Sequence, residues 1–193
     1  LLTASGDDTY YLQTLRRFKP HTLSEAEEKV INTKDVNGIQ ALNTIYSMIT
    51  NGFTYNLEID GQVQELTRAE LSMYVQSPDP TLRAGAYQEL YRVFGENSKV
   101  LAQIYNHVVR DWRSENVALR HFASPIAVRN LANDIPDTTV DTLLQVCQQN
   151  ADVFQRYFAW KAERLGMDKL RRYDIYAPVS EADKSYPFED ASE

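Results

Sequence analysis

Cysteine is almost absent from this chain, and long apolar runs are absent altogether. The single cysteine among 193 residues cannot form an internal disulfide, so the sequence gives no sign of a secreted, disulfide-bonded framework. No uninterrupted apolar run approaches the roughly 20 residues that a membrane-spanning helix needs. Both absences favour a cytoplasmic protein without a membrane partner.

The cysteine itself, Cys147, is expected to be a small buried hydrophobe. It falls on the predicted apolar face of a helix, and no histidine lies near it in the sequence to activate a thiolate. A nucleophilic role is therefore the less favoured interpretation.

Positive charge is also scarce, because 20 lysines and arginines face 27 acidic residues and the net charge is -7. Binding to nucleic acid usually needs a basic surface that replaces counterions, so we expect no nucleic-acid partner. The hydrophobic content of 43% is enough for one sizeable core or two small ones in a chain of this length. We therefore expect a folded globular unit with an acidic, well-solvated surface.

Both chain ends suggest a segment of a longer polypeptide. The sequence begins at Leu1 with neither an initiator methionine nor a signal-peptide pattern. Residues 187–193 are typical of the acidic first turn of a helix, after which the chain stops. We expect that the sequence is an excised piece.

Helix signals dominate the first half of the chain. Capping boxes at Ser24–Glu27 and Thr67–Glu70 each predict a helix start, because the hydroxyl and the carboxylate satisfy free backbone donors. Apolar spacing predicts another helix over 38–50, closed by Asn51 and Gly52. Between them, the alternation of 53–59 followed by Asp60-Gly61 predicts a β-hairpin over about 53–66.

Two long helices are predicted in the second half. One runs from Pro80 to Trp112 with a bend at Gly95, and the other from about Thr138 to Leu165. A short helix from Ser124-Pro125 to Ala132 lies between them. No repeat of solenoid period is visible, so the predicted fold is mainly α, a multi-helix lobe with one small β-hairpin.

Several polar residues could suggest chemistry, but the sequence favours structural roles for them. His107 and Asp111 are four residues apart on a helix, yet two groups without a third do not make a metal site. His21 and His121 are isolated in the sequence. Asp134 with Asp137 and Asp141 could suggest acid catalysis, but Asp137 is placed to cap a helix and Asp141 to complement its dipole.

The tyrosines are the better candidates for ligand contacts, and the chain has 12 of them. Tyr173 and Tyr176 lie in a non-helical stretch, and a tyrosine ring with its hydroxyl can bind a peptide backbone. The sequence nevertheless favours the alternative that 173–177 is an extended segment packed on helices, with Tyr173, Ile175 and Ala177 inward. Tyr176 and Tyr173 are the candidate substrate-binding residues.

Three blocks of this sequence together resemble a known family. The first block is Arg129-Asn-Leu-Ala-Asn-Asp-Ile-Pro-Asp-Thr-Thr-Val-Asp-Thr142 and the second is Leu170-Arg-Arg-Tyr-Asp-Ile-Tyr-Ala-Pro178. The third block comprises Asp60-Gly-Gln-Val-Gln-Glu-Leu-Thr67 with Asp79 and 83–91. These blocks resemble the oligoendopeptidase F family of zinc metallopeptidases, which are thimet oligopeptidase-like, and the third is similar to the family's non-catalytic segment. The resemblance covers nearly the whole chain.

The catalytic motif of that family is missing here. The family holds its zinc on a His-Glu-x-x-His helix, whereas His21, His107 and His121 are followed by threonine, valine and phenylalanine. The resemblance therefore implies that this chain has no catalytic or metal-binding residue of its own, and that zinc belongs to a catalytic domain beyond it.

The resemblance further implies a role and an organisation. The chain would be a single helical lobe over 1–193, with an oligopeptidase F-like non-catalytic core at 53–166 and a connector at 167–193. It would form part of the wall of a channel that admits short peptides, and its partners would be those peptides and the catalytic domain of the same polypeptide. A free-standing helical module that binds peptides or proteins is the alternative, and a lobe of an inactive homologue is the third possibility.

Overall fold

The computed structural model describes residues 6–180, and within them the protein is mainly helical with one small β-hairpin, as the sequence predicts. The predicted helix start at 187–193 lies outside the described residues. The nine α-helices in the described part are α1 Thr9–Phe18, α2 Glu25–Asn37, α3 Ile39–Asn51, α4 Arg68–Tyr74, α5 Pro80–Glu96, α6 Ser98–Trp112, α7 Pro125–Ala132, α8 Asp137–Gln149 and α9 Ala151–Arg164.

The described residues form two compact units. The first unit contains 6–50 and 98–149, and the second contains 51–97 and 150–180. The division of the chain predicted from the family resemblance, with boundaries at 53, 166 and 167, remains a prediction. No helix in the described part of the chain is long and apolar enough to cross a membrane.

The hairpin lies in the second unit and confirms its prediction. Strand β1, Tyr55–Ile59, pairs antiparallel with β2, Gln62–Leu66, in a register that places Tyr55 opposite Leu66. Asp60 and Gly61 both have positive φ, 53° and 78°, which is the backbone that a two-residue hairpin turn requires.

The core of the second unit packs the hairpin on α4 and α5. Its buried residues are all apolar or aromatic: Tyr55, Leu57, Leu66, Leu71, Ala86 and Val93. Strand β1 approaches α5 so closely that a Cβ on Gly85 would meet Leu57 Cδ1 at 2.9 Å. The predicted capping box is present, since Thr67 Oγ1 accepts from the Glu70 amide and the Glu70 carboxylate accepts from the Thr67 amide.

Both predicted long helices are interrupted, and an asparagine lies at each break. The first breaks at Asn97 and not at Gly95, because the Asn97 side-chain amide donates to the Val93 carbonyl at 3.0 Å and competes with helical continuation. The second breaks at Asn150, which joins α8 to α9. The prediction of one helix over 138–165 is therefore wrong.

The prediction that Cys147 is buried is also wrong. Cys147 is exposed, and its neighbours Leu143 and Leu144 are 61% and 63% exposed. The apolar periodicity of α8 is real, but in the described residues no element covers that face.

Arg120 joins three segments of the first unit. Its guanidinium makes a bidentate pair with Glu28 of α2, at 2.7 and 2.9 Å, and its Nε donates to Glu115 at 2.7 Å. Glu115 belongs to a π-helical turn, Arg113–Leu119, that continues α6. The Arg120 backbone carbonyl in turn accepts from His21 Nδ1 at 2.7 Å, and the His21 ring stacks on Phe122.

These contacts change the acidity of Glu28. The hydrogen bonds from Arg120, supported by the backbone amide of Leu23, lower the pKa of Glu28 to about 2. Because its folded pKa is depressed, the stabilisation is complete above about pH 4.5 and is lost as the pH falls towards 2.

We predict that Glu28→Gln lowers the free energy of unfolding at pH 7 by roughly 2 kcal/mol, after allowance for the partial exposure of the pair. The difference from wild type should shrink to nearly zero at pH 2, where Glu28 itself becomes protonated. Urea unfolding at both pH values measures it. Glu25→Gln, on the exposed side of the same helical turn, is the control and should change stability by less than about 0.5 kcal/mol. A deficit of equal size at both pH values would contradict the prediction.

Candidate functional site

The segment that carries Tyr173 and Tyr176 begins with a sharp reversal at the end of α9. Gly166 adopts a positive φ of 66°, its amide donates to Glu163, and the Met167 amide donates to Ala162 at 2.9 Å. This pair of hydrogen bonds is the Schellman motif that satisfies the last carbonyls of a helix. The chain therefore leaves α9 and turns back within the second unit.

Asp174 anchors this segment. Its side chain is fully buried, and its Oδ2 accepts from the backbone amide and the Nε of Arg171, at 3.1 and 2.9 Å. Its Oδ1 accepts from Arg83 Nη2 of α5 at 3.0 Å. The carboxylate thus fixes a 3₁₀ turn, Arg172–Asp174, and ties that turn to a helix 91 residues earlier in the sequence.

Arg83 is almost as deeply buried, with 2% of its surface exposed. Besides Asp174, its guanidinium donates from Nη1 to the carbonyls of Ser77 and Pro78, both at 2.7 Å. Its Nε has no hydrogen-bond partner among the described residues. Since an arginine stays charged, its burial is tolerated only because Asp174 balances the charge.

Lys161 of α9 holds the same segment from another side. The residue is 5% exposed, and its ammonium donates to the backbone carbonyl of Ile175 at 2.7 Å. Burial lowers the pKa of the Lys161 amine, and repulsion from Arg83 lowers it further. Three buried polar side chains, from α5, α9 and the turn itself, therefore position residues 171–177.

The acidity of Asp174 reflects a competition between two effects. Burial alone would raise the pKa of its carboxyl, but the hydrogen bonds from Arg171 and Arg83 outweigh burial and hold the pKa below its usual value. Its contribution to stability is consequently present above about pH 4 and is lost as the pH falls further.

The two candidate tyrosines occupy different positions on this anchored segment. Tyr173 is half-buried, lies against the ring of Tyr87 at 5.8 Å, and is covered by the Arg171 guanidinium at 4.6 Å. Tyr176 is 55% exposed, with the Arg172 guanidinium 5.7 Å from its ring centroid. Tyr173 therefore contributes to packing, whereas Tyr176 leaves about half of its surface exposed to solvent.

The alternative prediction of an extended, alternating segment is wrong at its centre. Residues Arg172–Asp174 form a 3₁₀ turn, and Asp174, expected to face solvent, is buried. The burial results from the Arg83 partner, which sequence periodicity cannot detect. Arg83 and Asp174 both lie in blocks that carry the family resemblance, and that is the one signal that could have selected them.

The other residues considered from the sequence all lie in the first unit. His107 is exposed, whereas Asp111 has its carboxylate close to those of Asp35 and Glu115, within 4.8 Å of one another. Burial, followed by repulsion among these carboxylates, raises the pKa values of Asp35 and Asp111. Asp35 therefore belongs to a group of carboxylates that could hold a metal ion, and the sequence did not identify it.

The acidic residues near 134 have structural side-chain partners, but the capping contact predicted for Asp137 is not among its described hydrogen bonds. Asp134 accepts hydrogen bonds from Tyr10 and Arg17, and Asp137 is the first residue of α8 and accepts from Asn130. His21 and His121, expected to be isolated, are both found on the wall of one cavity of about 510 Å³. Sequence distance concealed that proximity.

We predict that Asp174→Asn destabilises the second unit by about 3–5 kcal/mol at pH 7, because it leaves the Arg83 charge buried without compensation. Asp168→Asn, an exposed amide substitution in the same segment, should stay within about 0.5 kcal/mol of wild type. Urea unfolding followed by tyrosine and tryptophan fluorescence provides the comparison. Equal stability of the two variants would show that the Arg83–Asp174 pair contributes nothing.

Comparison with known proteins gives two consecutive matches to family models. Residues 7–55 match the model described as Oligopeptidase F, and residues 73–193 match Peptidase family M3. The chain is 27% identical over 188 residues to the group B oligopeptidase PepB of Streptococcus agalactiae, and 25% identical over 191 residues to the oligopeptidase PepF of Bacillus subtilis. It covers 94% and 96% of its own length in these alignments, but spans only 30% and 28% of the two relatives.

Solved structures show the same fold. The crystal structure of a Chlamydophila abortus protein matches 98% of this chain with a TM-score of 0.83 at 24% identity, and this chain covers 32% of it. The crystal structure of oligoendopeptidase-F from Enterococcus faecium matches 89% of this chain with a TM-score of 0.79 at 22% identity, and 34% of that chain is covered. Since one family model alone matches well over half of the sequence, this chain belongs to peptidase family M3, as a fragment of the oligoendopeptidase F type.

Proposed function

We propose that this chain is the non-catalytic, amino-terminal lobe of a longer zinc-dependent oligoendopeptidase that hydrolyses short peptides. The observation that carries the proposal is a family match along almost the whole chain that nevertheless spans less than a third of the curated relatives. The chemistry of the complete protein would then depend mainly on residues that this chain does not contain.

The residues of this chain do not fit a catalytic zinc centre. None of its histidines begins a His-Glu-x-x-His motif. The only group of three potential ligands among residues 6–180 is Asp35, Asp111 and Glu115, which is entirely carboxylate. Zinc in peptidases takes imidazole ligands, and Glu115 is already paired with Arg120. Among the residues that the structure describes, the chain therefore offers no imidazole-based ligand set for metal-assisted hydrolysis.

What the chain can supply is a shaped, positioned surface. We assign it to part of the wall of a peptide channel, with Tyr176 as a contact for substrate. Tyr176 is supported by an anchored turn, because Asp174 and Lys161 fix the backbone on both sides of Ile175. An exposed aromatic ring on a rigid backbone can orient a peptide at small entropic cost, which is how a wall residue affects a reaction it does not catalyse.

A hydrolysis assay tests the lobe assignment. A quenched fluorescent oligopeptide is incubated with this chain and added zinc, and in parallel with the full-length product of the gene that encodes it. We expect no cleavage by the chain alone and chelator-sensitive cleavage by the full-length protein. Chelator-sensitive cleavage by the chain alone would contradict the absence of a metal site, and an inactive full-length protein would favour an inactive homologue.

Substitution of Tyr176 tests the wall contact in the full-length protein. We predict that Tyr176→Ala raises KM for the oligopeptide roughly fivefold, corresponding to about 1 kcal/mol of lost binding, with little change in kcat. Tyr176→Phe keeps the ring and should show less than half of that free-energy change. Tyr105→Ala, at a 68% exposed tyrosine of the other unit, is the control. Equal KM values for Tyr176→Ala and the control would refute the contact.

A further inference from the structure

A cavity in the first unit has the size and lining of a small-molecule site. Its volume is about 510 Å³, within the range of roughly 300–1,000 Å³ that is usual for ligand pockets. It lies between the end of α1, the linker that follows the π-helical turn, α7 and the start of α8. Much of its wall is apolar, formed by Phe122, Ala123, Ala127, Leu131, Ile135 and Pro136.

Two residues on the rim hold backbone conformations that favour glycine. His121 has φ 57° and Asp134 has φ 56°, and both line the cavity. Asp134 is kept in place by hydrogen bonds from Tyr10 and Arg17 of α1. The cavity is thus bordered by two residues with strained backbone conformations, and contacts with their surroundings hold them there. Such residues are frequent at binding sites.

Asn130 supplies a buried polar group on the cavity wall. It is 5% exposed, and its side-chain nitrogen donates to Asp137 Oδ1 at 2.7 Å. Because a carboxylate only accepts, this contact fixes the orientation of the amide and leaves Oδ1 of Asn130 as an acceptor. No group among the described residues donates to that oxygen, so a ligand can.

His21 adds a second acceptor. Its Nδ1 lies 2.7 Å from the Arg120 carbonyl, which can only accept, so Nδ1 is the donor there, and in a neutral ring Nε2 is then an acceptor. The second carboxylate oxygen of Asp137 is a third acceptor, since only Oδ1 is engaged by Asn130. The polar part of the cavity lining therefore offers more unpaired hydrogen-bond acceptors than unpaired donors.

The net charge of the cavity lining also favours a ligand that donates hydrogen bonds and carries a positive charge. Arg17, the one permanent cation on the wall, is paired with Asp134, and Asp137 has no cationic partner among the described residues. With neutral imidazoles the lining carries one net negative charge. The partially negative carbonyl end of α7 and the partially positive amide end of α8 both lie at this cavity and offset each other. The charged side chains therefore decide the sign of the net charge of the lining.

We propose that this cavity binds a small primary ammonium that carries an aromatic or similarly sized apolar body. An ammonium has three donors and no acceptor, which corresponds in number to Asn130 Oδ1, Asp137 Oδ2 and His21 Nε2. The apolar walls bury the body of the ligand, and Asp137 balances its charge. Such an ammonium can come from a free arylalkylamine or from the amino terminus of a peptide.

A comparison of three ligands of equal shape tests the proposal. The ¹⁵N-labelled chain is titrated at pH 8 with 2-phenylethylammonium, 2-phenylethanol and 3-phenylpropanoate, and amide shifts are followed by NMR. We expect saturable shifts of the Asn130 side-chain amide and of residues 121–137 with the cation, at least tenfold weaker binding of the alcohol, and none of the anion. Equal affinities for cation and alcohol, or no saturable shift with any ligand, would overturn the proposal.

Two substitutions separate the charge from the shape of the cavity. Asp137→Asn keeps an acceptor for Asn130 but removes the charge, and should weaken binding of the cation at least tenfold. Asp141→Asn, one turn further along α8 and exposed, should bind as wild type does. Ala127→Phe places a ring in the cavity and should abolish binding. Wild-type affinity in Asp137→Asn, with its spectrum otherwise unchanged, would refute the role of charge.

The source of the ammonium is distinguished by a further titration. Phenylalanyl-glycine amide presents an ammonium and the ring at the start of a peptide, and both ligands are compared at pH 7, where an α-amino group is still mostly protonated. Tighter binding of this dipeptide than of 2-phenylethylammonium assigns the cavity to peptide amino termini, and weaker binding assigns it to free amines. Because the titrations use the isolated chain and no hydrolysis, their outcome is independent of the proposed peptidase activity.

Discussion

The burial of one arginine constrains the second unit more than any other single interaction. Arg83 is surrounded by protein on α5, and an ion in that position is stable only with a counter-charge that is equally buried. Asp174 is that counter-charge, and it lies 91 residues later in the sequence. The pair therefore requires the end of the described chain to return to the hairpin and α5, and the Schellman turn at Gly166 permits this return. The position of Tyr176 depends on this contact together with the hydrogen bond from Lys161 to the Ile175 carbonyl.

The first unit uses an arginine in a similar way, but closer to solvent. Arg120 joins α2, the π-helical turn and the backbone of His21 through partly exposed ion pairs. Because water can still reach these groups, each pair contributes less than a buried one, and several contacts share the task. A side effect is that His21 is held in one tautomer with its ring on Phe122, which shapes the adjoining cavity.

Local signals in the sequence predicted most of the secondary structure. The capping boxes at Ser24 and Thr67, the Asp60-Gly61 turn and the helix start at Pro125 all depend on neighbours within four residues, and the structure confirms each of them. Helix continuity was harder to predict, because Asn97 and Asn150 differ only slightly in helix propensity from residues that continue a helix.

The candidate site around Tyr176 was predictable from the sequence only where a residue type in its local context identifies it. Exposed Tyr176 could be selected as an aromatic residue in a non-helical stretch, but the burial of Asp174, Arg83 and Lys161 depends on contacts between distant segments. The exposure of Cys147 was not predicted for a related reason. The apolar periodicity of a helical face predicts burial, but it does not say which element buries the face, and no element among the described residues covers Cys147.

The hairpin and the matched family regions do not coincide, and this has a practical consequence. The regions matched by the two family models, 7–55 and 73–193, leave 56–72 unmatched between them. This stretch includes most of β1, all of β2 and most of α4. Cutting the chain after residue 72 would separate Leu57 and Leu66 from Ala86 and Val93, and cutting it after residue 55 would remove Tyr55 from the same core. Boundaries for expressing a piece of this chain should instead keep 6–180 together, because 6–50 and 98–149 form one unit and 51–97 and 150–180 form the other.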